Sequence, residues 1–146
     1  MKLLAKNTDY VVRALIVLAM KRGQFISARE IAKYQNIPYQ FLRQILQKLI
    51  QNKIVVSKEG IGGGVRIVKS PSKISVLELI EMFQGNLELS DCMFRNKICQ
   101  NRKTCVLRPE IKRIEKNVAL EFSKVTIEKL VKKFGEKDEK KLYRNR

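Results

Sequence analysis

Histidine and tryptophan are missing from this 146-residue chain, and acidic residues are few. Without histidine the commonest general base is unavailable, and no nucleophile–base pair stands out, so a hydrolytic or transfer enzyme is the least favoured class. The shortage of acid leaves a formal net charge of +17, and residues 1–70 hold 13 Lys/Arg against 3 Asp/Glu. A field of that sign favours a polyanion, either nucleic acid or an anionic membrane surface.

Long hydrophobic runs are also absent. The longest apolar stretch, Val11 to Met20, contains Arg13 and is far shorter than the ~20 residues of a membrane span, so no membrane partner is predicted. An odd number of cysteines without a secretory leader argues against a disulfide framework and predicts a cytoplasmic protein. Aromatic residues fall mostly in core stripes, which leaves no stacking platform for single-stranded RNA and favours duplex DNA.

Three helices are predicted in the first third of the chain. Thr8 or Asp9 caps a nearly all-apolar core helix that runs to about Lys21. The sequence Ser27-Ala28-Arg29-Glu30 fits a capping box at the start of a helix through about Gln35. Pro38 then suits the first turn of a third helix that runs to about Asn52. Two short helices joined by a tight turn predict a helix-turn-helix.

The polar face of the third helix carries donors and acceptors but no acid. Such a face has the chemistry to contact base edges and phosphates in a major groove. A glutamine-rich face that is merely solvated is the alternative interpretation. The residues of this face are Gln40, Arg43, Gln44, Gln47, Lys48 and Gln51.

A β-hairpin is predicted directly after the third helix. Two β-branched runs, Ile54 to Ser57 and Val65 to Val68, flank the sequence Glu59-Gly60-Ile61-Gly62-Gly63-Gly64. Glycines allow close backbone approach, so Gly62 and Gly63 at the tip can lie along a phosphate backbone or enter a minor groove. A helix-turn-helix followed by a hairpin is a winged helix.

The second half of the chain predicts three further helices. A capping box at Ser75 opens a helix to about Gln84, and a last short helix, residues 127–134, is closed by Gly135. Between them a long helix from Pro109 carries one apolar stripe that must be covered by the domain's own core or by a twin copy, and we favour a homodimer. The stripe is Ile111, Ile114, Val118, Phe122 and Val125, with Ile114, Val118 and Phe122 as the predicted interface.

All three cysteines, Cys92, Cys99 and Cys105, lie within fourteen residues of one basic loop. Thiolates bind soft metals and iron–sulfur clusters, and neighbouring cations lower a thiol pKa toward the ligating form. Since the chain has no histidine, a fourth ligand must be a carboxylate, another group, solvent or a second subunit. Three reduced cysteines under a loop are the alternative.

Taken together, these residues resemble the Rrf-two family of winged-helix transcription regulators. The resemblance extends to about Gly135 and rests on four motifs. They are Thr8-Asp9-Tyr10, the segment from Ile37-Pro38-Tyr39 to Leu46, the Gly60-Ile61-Gly62-Gly63-Gly64 wing tip and the triple cysteine.

The resemblance implies a mainly α fold with a small β wing and a long dimerisation helix. Expected boundaries are 1–85 for the DNA-binding domain, 86–108 for the cluster-binding loop, 109–135 for the dimerisation and packing helices, and 136–146 for a disordered charged tail. It also implies a homodimeric repressor whose cluster state sets its affinity for a DNA operator. The implied cofactor is an iron–sulfur cluster, 2Fe-2S or 4Fe-4S, that senses nitric oxide, redox state or iron supply.

Residue roles carried over from the family are expectations of the same kind. DNA reading falls on Gln40, Arg43 and Gln44, and the cluster ligands are Cys92, Cys99 and Cys105, with Asp9 of the partner subunit as the oxygen ligand of the nitric-oxide-sensing members. An acid at a helix start is more simply a cap, and Asp91 and Glu88 are the other oxygen candidates. The full DNA-binding set also includes Lys48, Lys58, Gly62, Gly63 and Arg66.

Three positions depart from the family pattern. The cysteines are spaced by six and then five residues, where five and five is common in the family. Arg108 stands where one family member, the iron–sulfur assembly regulator, has a histidine ligand. Glu59 replaces an arginine that relatives often have in the wing, so wing contacts are expected to pass to Lys58 or Arg66. Rival functions are a cluster-free thiol or zinc regulator such as a cysteine-metabolism repressor, and an iron–sulfur electron-transfer protein.

Overall fold

The computed structural model describes residues 3–90, 93–94 and 97–144, and it confirms a mainly α-helical winged-helix fold. Six α-helices and two small antiparallel hairpins follow one another in these ranges. In chain order they are α1 (Lys6–Met20), α2 (Ala28–Gln35), α3 (Tyr39–Gln51), β1 (Val55–Lys58), β2 (Gly64–Ile67), α4 (Val76–Gln84), β3 (Met93–Phe94), β4 (Lys97–Ile98), α5 (Leu107–Lys124) and α6 (Ile127–Arg144).

Helix α1 forms the centre of the core, as its apolar sequence predicts. Val11, Ala14, Leu15 and Leu18 have no exposed surface. The predicted cap is wrong, because the helix begins at Lys6 and the hydroxyl of Thr8 donates a hydrogen bond to the distant Gln84 instead. Sequence neighbours of Thr8 give no sign of that partner.

The helix-turn-helix forms as predicted. The Ser27 hydroxyl accepts a hydrogen bond from the backbone N–H of Glu30 and caps α2. Asn36 takes a left-handed conformation with φ of 51°, which ends α2 and turns the chain into α3. Helix α3 buries four aliphatic positions and exposes most of its polar ones, whereas Phe41 is 49% exposed. The buried positions are Leu42, Ile45, Leu46 and Leu49.

Strands β1 and β2 pair in the wing with Val56 opposite Arg66, each strand lying within one residue of its predicted bounds. Ile26, in the loop between α1 and α2, extends this sheet by exchanging two hydrogen bonds with Val65, at 2.9 and 2.8 Å. A Cβ placed on Gly64 would lie 2.2 Å from the carbonyl oxygen of Ile26. Any side chain at position 64 would clash with the backbone of Ile26, so only glycine allows this strand pairing.

The C-terminal helices differ from the prediction at their ends. Helix α5 begins at Leu107, with Pro109 tolerated inside its first turn. Helix α6 does not stop at Gly135 but continues to Arg144, so the prediction of a disordered tail from residue 136 is wrong for residues 136–144. One glycine costs a helix only about 1 kcal/mol, and the Lys- and Glu-rich residues after it are good helix formers.

Helix α6 returns to the start of the fold and packs against α1. Ile127, its first residue, has no exposed surface and lies in the same core as Leu15 and Leu18. The domain boundary at residue 85 stays a prediction, but the hydrophobic core continues past it. Among the described residues, no helix is long and apolar enough to cross a membrane.

Candidate nucleic-acid interface and cysteine segment

The predicted DNA-reading side chains lie together on the outer face of α3. Gln40, Arg43 and Gln44 are all exposed, and no acidic residue occurs anywhere in this helix. This face therefore offers amide and guanidinium groups to solvent with no carboxylate of the same helix to compete for them.

Two arginine side chains lie close to one aromatic ring at the start of α3. The guanidinium carbons of Arg29, from α2, and Arg43, from α3, lie 5.9 and 6.0 Å from the ring centre of Tyr39. Contacts of this kind restrain long side chains that are otherwise free in water. Sequence analysis missed Arg29. The spacing of Tyr39 and Arg43, four residues apart on one helix, was the available signal.

Lys48 occupies a more enclosed place than its polar-face position predicts. Its ammonium lies 5.0 Å from the ring centre of Phe83, on α4, and the residue is only half exposed. With Gln44 it lines a cavity of about 200 Å³ that Asn7, at the start of α1, also borders. The cavity thus lies between α3 and the first turn of α1.

The wing carries a second aromatic ring with two cations. Phe25 lies in the loop before α2, and its ring centre is 5.8 Å from the Lys58 ammonium and 4.9 Å from the Arg66 guanidinium carbon. Gly63 is packed tightly, since a Cβ there would lie 2.2 Å from the carbonyl oxygen of Lys58, whereas Gly62 at the tip is open and has φ of 72°. The two predicted wing cations therefore share one aromatic neighbour.

The cysteine segment is described in part. Cys92 lies outside the described residues, as does Asp91. Cys99 is exposed and Cys105 half-buried, and both are free thiols. Within the described ranges, no three Cys, Asp or Glu side chains come together as a metal-binding group.

Arg108 follows Cys105 by three residues and lies in the first turn of α5, and its Nε is buried. In the described part of the chain this N–H finds no hydrogen-bond acceptor. A buried donor on a charged group is costly to leave unpaired, so this position suits a nearby anionic acceptor.

Asp9, the proposed oxygen ligand, lies in the first turn of α1. Its carboxylate is 2.9 Å from Nε of Arg13, and 40% of its side chain is exposed. An exposed pair one helical turn apart is weak, so the carboxylate is available to a stronger partner.

Glu115 anchors the entry to the cysteine segment. It is 6% exposed on α5 and accepts hydrogen bonds from Lys112 Nζ at 2.6 Å and from the backbone N–H of Leu89 at 2.9 Å. The Lys112 hydrogen bond, followed by that from Leu89, holds the pKa of Glu115 below its usual value. Its charged form therefore fixes residue 89, just before the cysteines.

Gln84, at the end of α4, connects this helix to the start of α1 by side-chain hydrogen bonds. Its side-chain oxygen accepts hydrogen bonds from the Thr8 hydroxyl at 2.6 Å and from the backbone N–H of Ala5 at 2.8 Å. Since Thr8 is fully buried, this amide fixes the start of α1 to the helix that leads into the cysteine segment.

The predicted dimer stripe on α5 is partly open to solvent. Ile114 is 43% exposed, while Val118 and Phe122 are half-buried and line a shallow apolar depression of about 380 Å³ with Leu3 and Val125. Helix α4 of the same chain also packs against α5.

Comparison with known proteins places this architecture among transcription regulators. Residues 4–133 match the Rrf2 family, described as an iron-dependent transcriptional regulator. The HTH-type transcriptional regulator NsrR of Shouchella clausii is 30% identical over 107 residues, covering 73% of this chain and 68% of that protein.

Two solved structures share the fold. CymR, the global cysteine regulator of B. subtilis, superposes with a TM-score of 0.73 at 23% identity and covers 90% of this chain and 98% of its own. IscR of T. potens has a TM-score of 0.70 at 22% identity and covers 91% and 88%. Because the family match runs from the start of α1 into α6, the protein belongs to the Rrf2, or Rrf-two, family of transcriptional regulators, as its motifs predicted.

Proposed function

We propose that this chain is a homodimeric repressor that reads duplex DNA with α3 and the wing and sets its operator affinity through an iron–sulfur cluster on the cysteine segment. The observation that carries the DNA-binding part is the acid-free outer face of α3, with Gln40, Arg43 and Gln44 exposed. The net charge of +17 supplies the attraction to phosphates.

The family description supports the iron in this proposal, and the local chemistry fits it. Cys92, Cys99 and Cys105 would be the thiolate ligands. Arg108 places a buried N–H at the edge of the same segment, with no acceptor among the described residues, and a thiolate or sulfide would accept its hydrogen bond there. When bound, the cluster would supply a centre that reacts with nitric oxide or oxidants.

The fourth ligand is proposed to be Asp9 of the partner subunit. The chain has no histidine, and Arg108 occupies the position where the family's iron–sulfur assembly regulator has a histidine ligand, so this proposal takes an oxygen donor instead. Binding would replace the exposed Asp9–Arg13 ion pair, which is weak enough to be exchanged. The stripe of Ile114, Val118 and Phe122 on α5 would form the contact between the two subunits.

Side-chain hydrogen bonds link the cysteine segment to α5 and link α4 to α1, a helix that contacts the DNA-binding helix α3. Glu115 holds Leu89, and Gln84 holds the start of α1 near Asn7, which borders the cavity lined by Gln44. A change in the cysteine segment would thereby alter the setting of α1 against α3.

The likeness to CymR supports a second candidate, a regulator of the same fold that uses its thiols without a cluster. Anaerobic purification followed by visible spectroscopy with iron and sulfide counts separates the two. Iron, acid-labile sulfide and a visible chromophore are expected. Protein that contains zinc, or neither metal nor sulfide, while still binding DNA would support the cluster-free candidate.

The salt dependence of DNA binding tests the wider proposal. If six or more phosphates are neutralised, affinity should fall about a thousandfold or more between 50 and 200 mM salt. A flat response would contradict a DNA-binding role for the basic surface.

A further inference from the structure

Phe25 is placed to control the cations of the wing although it belongs to neither wing strand. It precedes Ile26, which pairs with Val65 at the edge of β2. Because side chains alternate along an extended segment, Phe25 faces away from the buried Ile26 and Val65 and lies on the outer face of the sheet. Its ring therefore lies on the face that the wing turns to solvent.

Lys58 and Arg66 lie on that same outer face. Arg66 pairs with Val56, and Lys58 pairs with Gly64, so both cations project to the side opposite Val65. Gly64 has no side chain to occupy its place on this face. The Phe25 ring occupies the space beside Lys58 on this face. Its centre is 5.8 Å from the Lys58 ammonium and 4.9 Å from the Arg66 guanidinium carbon.

We propose that Phe25 is a positioning residue for DNA binding, which holds Lys58 and Arg66 over the phosphate backbone before DNA arrives. Long cationic side chains lose conformational freedom when they bind a phosphate, and restraint in the free protein reduces that loss. An aromatic face is suited to this work because it attracts a cation without neutralising its charge, as a carboxylate would. Glu59 is the acid nearest in sequence, and no ion pair between it and either cation occurs in the described residues.

The test is Phe25→Leu, which keeps apolar volume but removes the ring. The full chain, kept in one metal state throughout, is titrated against a random-sequence duplex, since phosphate contacts need no operator. Affinity is expected to fall roughly three- to tenfold, the scale of ordering one long, flexible side chain at an interface. The slope of log affinity against log salt should stay close to that of the parent, because both cations are retained and the number of phosphates they neutralise does not change. The matched control Phe25→Tyr, which retains the ring, should stay within about twofold of the parent.

A double-mutant cycle shows whether Phe25 acts through its two neighbours. In a Lys58→Ala, Arg66→Ala background, Phe25→Leu is expected to cause no further loss of affinity. An equal loss in both backgrounds would overturn the inference and make Phe25 a support of the fold.

A measurement without DNA separates this inference from the proposed function on which it rests. In the free protein, the ring should shift the side-chain proton resonances of Arg66, and Phe25→Leu should abolish that shift. If the parent protein fails to bind DNA, the proposed function fails whatever these resonances show. If the parent binds and Phe25→Leu binds equally well, only the inference about Phe25 is wrong.

Discussion

The carboxylate of Glu115 accepts a hydrogen bond from the backbone N–H of Leu89 at 2.9 Å, joining α5 to the residues that lead into the cysteine segment. The same carboxylate binds Lys112 and is almost completely buried. A single side chain thus fixes one end of the segment, and its charge makes that attachment sensitive to acid.

Replacing Glu115 by alanine should lower the free energy of unfolding by about 1–3 kcal/mol, because the Leu89 N–H loses its acceptor. Glu115→Gln retains an acceptor oxygen and should cost less. Urea unfolding measures both, and faster amide exchange at Leu89 would locate the effect. Glu110→Gln is the control, since its ion pair with Arg113 is exposed and should contribute at most about 0.5 kcal/mol. Equal losses in all three variants would contradict an anchoring role.

Acid should weaken the same attachment. The pKa of Glu115 is lowered in the folded protein, so its stabilisation is fully present above the ordinary glutamate value of 4.5 and is lost as pH falls through the lower folded-state value. Glu115→Gln should remove this part of the pH dependence. Unfolding measured from pH 6 downward checks it, and parallel curves for parent and variant would show that Glu115 does not contribute.

Arg43→Ala and Gln44→Ala should weaken binding to the cognate DNA sequence more than binding to random duplex. Each lost base contact is worth about 1–3 kcal/mol of discrimination. Glu110→Gln is the control and should reduce neither affinity, since its exposed carboxylate lies on α5, where it pairs with Arg113. The cognate sequence is first selected from a random pool, and both duplexes are then titrated. Equal losses on the two would place these residues on the phosphates.

The dimer interface is tested by Val118→Asp combined with Phe122→Asp. If this stripe joins two subunits, each copy would bury unpaired charge and the dimer should dissociate. Leu120→Asp is the matched control, because Leu120 is 53% exposed on the same helix and should leave the mass unchanged. Sedimentation gives the result, and a double variant that stays dimeric would place the stripe within one subunit.

The proposed cluster ligands should differ in the effect of their loss. Each of Cys92→Ala, Cys99→Ala and Cys105→Ala should abolish the visible chromophore of anaerobically purified protein. Asp9→Ala should retain some colour but change cluster stability and the response to nitric oxide, because an oxygen ligand holds iron less firmly than thiolate. Arg13→Ala controls for loss of the Asp9 ion pair alone. A full cluster in Cys99→Ala would disprove this ligand set.

Local sequence signals predicted most of the helices and the wing. Ser27 and Ser75 cap the helices that their motifs indicate, because a capping box depends on residues three apart. Thr8 failed as a cap since its hydroxyl is taken by Gln84, 76 positions away. Gly135 failed as a helix end because neighbouring residues outweigh one glycine.

The candidate site was predictable in its exposed residues and not in its contacts. The polar period of α3 gave a face of six residues, and the family resemblance selected Gln40, Arg43 and Gln44 from it. These three side chains are exposed, while their role in DNA reading stays a prediction. Phe25 and Tyr39 were assigned to no function, because their cation neighbours come partly from other elements and are brought together only by the fold. The grouping of the cysteines was visible in the sequence, while the Glu115 attachment before them depends on a contact 26 residues apart.

The position of Ile127 in the core determines when, during synthesis, this protein can finish folding. Chains generally fold from the N-terminal side as the ribosome releases them. Here, however, α1 cannot complete its packing until α6 has been synthesised, since Ile127 fills the same core. In a nascent chain that ends in the cysteine segment, α3 would therefore pack on a core that still lacks Ile127. The regulator should reach its DNA-binding form only after α6 has been translated.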